Sequence, residues 1–197
     1  MESTRKQLKD GWSEIEGMIE RRLTPLRLAH VLAVRDCAVE LARAHGESLE
    51  KAGLAGLLHD YARDLPGEEL LRIGEEEGLI TCEVERQVPI LLHGPVGALL
   101  VRRELGIDDP EVLEAISLHT LGRPGMGRLA KIVYLADMVA EGRSFPGVEE
   151  LRRKAFEDLS EALLLGFAST IRYCLETRRL IHPQTLEAWN YFLKEGK

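Results

Sequence analysis

Ala52-Gly53-Leu54-Ala55-Gly56-Leu57-Leu58-His59-Asp60 is a nearly unbroken apolar run that ends on an imidazole and a carboxylate. Such a run predicts a helix buried on most of its faces, where polar groups are unwelcome. Burying a polar group without a partner costs on the order of 2 to 7 kcal/mol. Something must therefore compensate His59 and Asp60. A divalent cation is the economical candidate, because neutral imidazole nitrogen and carboxylate oxygen suit zinc, iron and manganese and the ion cancels the buried charge.

The flanking sequence has the same helical period. Leu23, Leu26, His30, Val34, Cys37, Ala38 and Leu41 recur at spacings of three and four, on a helix entered through Thr24-Pro25 and left near His45-Gly46. The quoted run belongs to a helix predicted from Ser48 to about Tyr61. Pro66 with Glu68 and Glu69 starts another, which Gly78 ends. Further helices are predicted at about 94–105, 110–120, 127–141, 149–158, 160–178 and 183–194, separated by Gly- and Pro-rich breaks such as Gly106-Ile107-Asp108-Asp109-Pro110 and Gly122-Arg123-Pro124-Gly125. Strand-like alternation never persists, so the expected architecture is an all-α bundle forming a single domain. Trp12, Ile15, Ile19 and Leu23 lie at helical spacing, so residues 1–22 are expected to form an N-terminal helix packed on the body, residues 23–197, or on a partner subunit.

A chain of 197 residues can bury one sizeable core. Its net charge of −7 has Lys and Arg mixed among Asp and Glu, with no basic stripe for a nucleic-acid backbone. Polymeric DNA or RNA is thus not an expected partner, whereas a small phosphate ester remains compatible if bound metal supplies local positive charge. Cys37, Cys82 and Cys174 are odd in number and far apart, which fits reduced cytosolic thiols. The N-terminus lacks an apolar signal segment, and no run approaches the roughly 20 residues of a membrane span. The expected location is the cytoplasm.

Four more residues of ligand type stand where the helical period asks for a hydrophobe: His30, His93, His119 and Asp137. A lone histidine on an apolar face is usually a hydrogen-bonded core residue. Together with His59 and Asp60, however, they make six such residues on five segments, and six separate structural excuses would be needed. Asp137 weighs most, since a buried aspartate without a cation is driven to neutrality or destabilises the fold. Four imidazoles and two carboxylates exceed one tetrahedral zinc site and suit two ions bridged by a carboxylate, with Asp60 the natural bridge. His45 and His182 sit at helix boundaries and read as caps or surface residues, and Cys37 as core packing. Neither a Gly-x-Ser-x-Gly elbow nor a P-loop occurs.

The ordered set His30, His59-Asp60, His93, His119, Asp137 resembles the HD-domain superfamily of metal-dependent phosphohydrolases. More narrowly it resembles the YqeK family of symmetrical diadenosine tetraphosphate hydrolases. The phrases that carry the likeness include Arg27-Leu28-Ala29-His30, His59-Asp60-Tyr61-Ala62, His93-Gly94-Pro95, Tyr134-Leu135-Ala136-Asp137, Gly142-Arg143-Ser144-Phe145-Pro146 and Thr170-Ile171-Arg172-Tyr173, over about residues 25–190. Arg63 departs from the lysine usual after the His-Asp-Tyr-Ala phrase, and Met138 to Glu141 departs from a Tyr-Ile-Glu-Pro-like stretch.

The resemblance implies two divalent ions, iron favoured and manganese, cobalt, nickel or zinc possible. His30, His59, Asp60 and Asp137 would hold one, and Asp60, His93 and His119 the other. A metal-activated water would split diadenosine tetraphosphate at its centre into two ADP. Arg63 and Asp64 join Asp60 as candidate catalytic residues, Asp64 also reading as a cap before Leu65-Pro66, while Thr120, Arg123 and Arg143 are candidate substrate contacts. Rival readings are an HD phosphohydrolase for a deoxynucleoside monophosphate, an alarmone or a cyclic dinucleotide; a metal-stabilised nucleotide-binding regulator; and a helical scaffold whose histidines are merely buried. A homodimer through the N-terminal segment is compatible with all of them.

Overall fold

The computed structural model describes Trp12 and residues 15–195. Every regular element among the described residues is helical, as the periodicity predicts. α1 covers residues 15–22. It is followed by α2 (Pro25–His45), α3 (Leu49–Leu58), α4 (Gly67–Glu76), α5 (Glu83–Gln87), a 3-10 turn at Pro89–Leu92, α6 (His93–Leu105), α7 (Pro110–Leu118), α8 (Arg128–Val139), α9 (Val148–Glu157), α10 (Leu159–Glu176) and α11 (Pro183–Glu195).

Local chemistry sets the boundaries. The Thr24 side chain accepts the Arg27 N–H at the start of α2, Pro25 fills its first turn, and Gly46 closes it in the left-handed region at φ 68°. Ser48, Asp109 and Asp158 cap α3, α7 and α10 in the same way. α2 packs on α3, α8 and α9; α7 bridges α3, α6 and α8. Val34, Leu41, Leu57, Ile116, Ile132, Leu135 and Phe167 fill the centre. A second, smaller cluster of Ala62, Leu70, Ile73, Leu92 and Val96 seals α4 and α6 around the 3-10 turn.

Two glycines govern how closely the helices that carry site residues approach. A Cβ on Gly56 would stand 3.0 Å from Arg35 Cα, and one on Gly94 only 2.7 Å from the Ser117 carbonyl oxygen. Their missing side chains let α3 lie on α2 and α6 on α7. Trp12 and Ile19 are buried in the main core, and the indole lies where a Gly53 side chain would be. Residues 1–11, 13 and 14 of the expected N-terminal helix lie outside the described residues.

Several boundaries differ from expectation. α3 stops at Leu58 and α7 at Leu118, short of the expected Tyr61 and residue 120. His59 and His119 therefore stand just past their helices. α5 and the 3-10 turn were not anticipated, since each is too short to show an amphipathic period.

Candidate metal centre

The fold brings all six sequence-predicted ligands together. His30 projects from the second turn of α2 and Asp137 from the last turn of α8, while His93 opens α6 and His59 and His119 follow α3 and α7. The helix-end placement has a chemical consequence, because the last carbonyls of a helix lack an intrahelical partner. His59 Nδ1–H donates to Gly56 O and His119 Nδ1–H to Ile116 O, each at 2.7 Å, and His93 Nδ1–H donates to Ile90 O. Each bond puts the proton on Nδ1 and leaves the Nε2 lone pair facing a shared space.

Those lone pairs are poorly matched by the protein alone. His93 Nε2 and His119 Nε2 are 2.9 Å apart. The Thr120 hydroxyl reaches both, at 3.3 and 3.0 Å, but has one proton to offer. His59 Nε2 is buried with no hydrogen-bond partner. A cation among these atoms removes the conflict, so the residues fit a divalent metal in both donor chemistry and orientation.

Asp60 stands between two ligand groups. Its Oδ1 lies 3.3 Å from His93 Nε2 and 3.7 Å from His119 Nε2, while Oδ2 lies 3.5 Å from His59 Nε2 and 3.8 Å from His30 Nε2. Asp137 Oδ1 completes the second side, 2.9 Å from His30 Nε2 and 3.8 Å from His59 Nε2. Each Asp60 oxygen therefore faces its own pair of imidazoles, the placement expected of a bridging carboxylate. Burial pushes His59 down to about 4 and lowers His93. Burial also opposes ionisation of the acids, yet His59 and His119 hold Asp60, and His30 and His59 hold Asp137, well below the usual carboxylate range. Burial thus favours neutral imidazole at His59 and His93, whereas at His119 burial is outweighed by the hydrogen bond to Asp60, which raises the imidazole, and both carboxylates stay ionised near neutral pH.

The other predicted residues divide. Arg143 is at the centre: Nε donates to the Asp137 carbonyl oxygen at 2.6 Å, and Nη2 to the Asp137 carboxylate and to His30 Nε2 at 3.3 Å. The Arg63 guanidinium is half-buried within the field of Asp60, Asp64 and Asp137, without a side-chain hydrogen bond or ion pair among the described residues. Arg123 instead pairs with Glu114 at 2.6 Å on the groove between α6 and α7. Asp64 does not cap the helix after it, whose N-cap is Pro66; its carboxylate accepts the Thr24 N–H at 3.1 Å and lies 3.8 Å from Arg27 Nε.

Arg27 is the site residue that sequence reasoning passed over. Its Nη1 donates to Asp60 Oδ2 at 2.8 Å. The available signal was its position three residues before His30, on one helix face.

His182 overturns the surface alternative of its expected cap or surface position, being only 4% exposed. It does cap: the Gln184 N–H donates to Nδ1 at 3.2 Å. That leaves the proton on Nε2, 3.2 Å from Cys82 Sγ and 3.4 Å from Glu85 Oε1. The Cys82, Glu85, His182 cluster therefore has the opposite tautomer from the metal-centre histidines, and its imidazole is a donor rather than a ligand.

The HD domain model matches residues 27–142, which include all six candidate ligands. The chain belongs to the HD domain family. A protein of Bacillus subtilis named bis(5'-nucleosyl)-tetraphosphatase, symmetrical, is 38% identical over 175 residues, 89% of this chain and 94% of that protein. A Halalkalibacterium halodurans protein of the same name is 39% identical over 180 residues, 91% of this chain and 96% of the relative. Among solved structures, an HD superfamily hydrolase of Clostridium acetobutylicum, described as involved in NAD metabolism, aligns with a TM-score of 0.90 at 42% identity, covering 93% of this chain and 97% of that one. The narrower resemblance to the YqeK family therefore stands, and the all-α HD architecture with it.

Proposed function

We propose that this protein is a metal-dependent phosphohydrolase that cleaves diadenosine tetraphosphate symmetrically to two ADP. The observation that carries the reading is the convergence of unprotonated imidazole nitrogens on the two oxygens of Asp60. The substrate comes from the relatives that share the chain almost end to end, all named for symmetrical cleavage. His30, His59, Asp60 and Asp137 would hold one divalent ion, and Asp60, His93 and His119 a second, with iron the favoured metal for both. Such ions, when bound, supply charge to phosphoryl oxygens and make a water nucleophilic near neutral pH.

The protein's own groups orient the polyphosphate. Arg63, without a committed partner, has its N–H groups free for nonbridging oxygens. Arg143 reaches the same space from the Asp137 side, and the Thr120 hydroxyl lies beside His93 and His119. Arg27 and Asp64 form a supporting pair that holds Asp60 in place. Arg123 would act at the outer edge, after release from Glu114.

No helix among the described residues is long and apolar enough to cross a membrane, and we place the activity in the cytoplasm. The described part of the N-terminal segment, helical over 15–22 with Trp12 and Ile19 buried, supports packing on the body; a homodimer is the proposed assembly. The test is product analysis. Metal-loaded protein is expected to release ADP alone from diadenosine tetraphosphate, whereas AMP with ATP, or no release over hours, would contradict this reading.

A further inference from the structure

One cavity is lined by sequence neighbours of Asp137 and Arg143 without including either. It holds about 380 Å³ between the end of α8, the turn at Phe145-Pro146 and one face of α10, within the usual range for small-molecule sites. Met138, the residue after Asp137, and Phe145, two beyond Arg143, form one side; Tyr173 and Glu176 form the other. Gly166 permits the close approach of α8 to α10, since a Cβ there would stand 3.1 Å from Met138 Sδ and 3.2 Å from the Tyr134 ring.

The lining is apolar and aromatic with a polar edge, and that edge is uncommitted. Tyr173 is 52% exposed, with the Arg179 guanidinium 5.5 Å from its ring centroid. The side chains of Arg172 and Glu176 are exposed and make no hydrogen bond or ion pair among the described residues. The buried Tyr134 hydroxyl points toward Thr170 of the same wall without a well-formed hydrogen bond. A larger groove between α6 and α7 differs in kind, because its charges are already matched in the pairs Arg102 with Asp108, Arg123 with Glu114 and Lys51 with Glu111.

A polyphosphate held at the metal centre must extend a nucleoside away from it. A chamber beginning one residue beyond Asp137, with aromatic walls and the Glu176 carboxylate beside Arg172 at its edge, suits an amino-bearing heterocycle. We propose that this cavity receives one purine base of the dinucleoside polyphosphate, stacked against Tyr173 and Phe145 with its amino N–H donated to Glu176. The inference rests on reading the centre as a nucleotide hydrolase.

The test compares wild type, Tyr173→Ala, Tyr173→Phe and Glu176→Gln, all metal-loaded. Calorimetry gives the Kd for ADP and for inorganic pyrophosphate, which lacks a base, and steady-state kinetics with diadenosine tetraphosphate gives KM and kcat. Tyr173→Ala is expected to weaken ADP binding and raise KM about tenfold, the usual weight of a base stacked on an aromatic side chain. Tyr173→Phe should restore both, Glu176→Gln should weaken ADP several-fold, and pyrophosphate affinity and kcat should stay within about twofold. Unchanged ADP affinity in Tyr173→Ala and Glu176→Gln would overturn the assignment, as would an equal loss for pyrophosphate. If wild type leaves diadenosine tetraphosphate intact, the functional reading fails on that result, and the ADP affinities alone decide the cavity, with no ADP binding by wild type also counting against it.

Discussion

Asp60 shows how one side chain can organise a centre. Its two oxygens face different imidazole pairs, so neutralising it removes a donor from both sides. Asp60→Asn keeps the volume, and the variant is expected to retain its helical circular dichroism while metal content falls below half of wild type and turnover drops by about 100-fold or more. Elemental analysis beside a product assay checks this, and full metal content would refute the bridging role. Arg63→Ala tests the proposed phosphate contact rather than the metal. Its expected signature is a rise in KM of about tenfold with metal content unchanged, as for the loss of one charge-assisted contact. Cys37 gives a pH prediction away from the centre. Burial, with Glu40 adding to it, pushes its thiol from the ordinary 9.0 to about 12. Between those values the unfolded chain releases the proton and the folded chain keeps it, so this thiol contributes stability that is lost as pH rises through that window. Iodoacetamide at pH 8.5 is accordingly expected to leave Cys37 unlabelled in the folded protein and to label it in urea, as peptide mass mapping would show. All six candidate ligands were legible as residues, because polar groups on apolar helical faces conflict with the helical period. Arg27 was not, since an arginine in a first helical turn looks like any solvated surface charge.

At the scale of elements, helix ends matter as much as helix faces. His59, His93 and His119 stand at element ends where nearby carbonyls receive their Nδ1 protons, and this selects the tautomer that presents Nε2. The periodic pattern located these helices but ran α3 and α7 past their last turns, because an apolar residue followed by a histidine does not mark where the hydrogen-bond ladder stops. Glycines then set the helix approaches. Gly94→Ala would force a Cβ to within 2.7 Å of the Ser117 carbonyl oxygen and push α6 from α7. The expected cost is about 1 to 3 kcal/mol in urea unfolding, with weakened metal binding as His93 moves off His119. An unaltered midpoint would show that the backbone absorbs the methyl group without separating the helices.

For the molecule as a whole, the centre lies where α2, α3, α6, α7 and α8 meet, so occupancy and global stability are coupled. A ligand present at 100 times its Kd and bound only by the folded state contributes about 2.7 kcal/mol. For a chain of this length, chelation is expected to lower Tm by roughly 5 to 10 °C, with iron or manganese restoring it. A scanning-calorimetry trace indifferent to chelator and metal would argue that the histidines serve packing alone. The sequence by itself determined the all-α class, the order of the helices and the chemical types of the six ligands, because period, caps and misplaced polar residues are local properties. Which imidazole faces which Asp60 oxygen, that Arg123 is held by Glu114 away from the cluster, and that Arg27 supports Asp60 were decided only by tertiary structure. Those relations join residues up to more than a hundred positions apart, as with Arg143 and His30, and are set by helix approach distances that close packing fixes and no local pattern encodes.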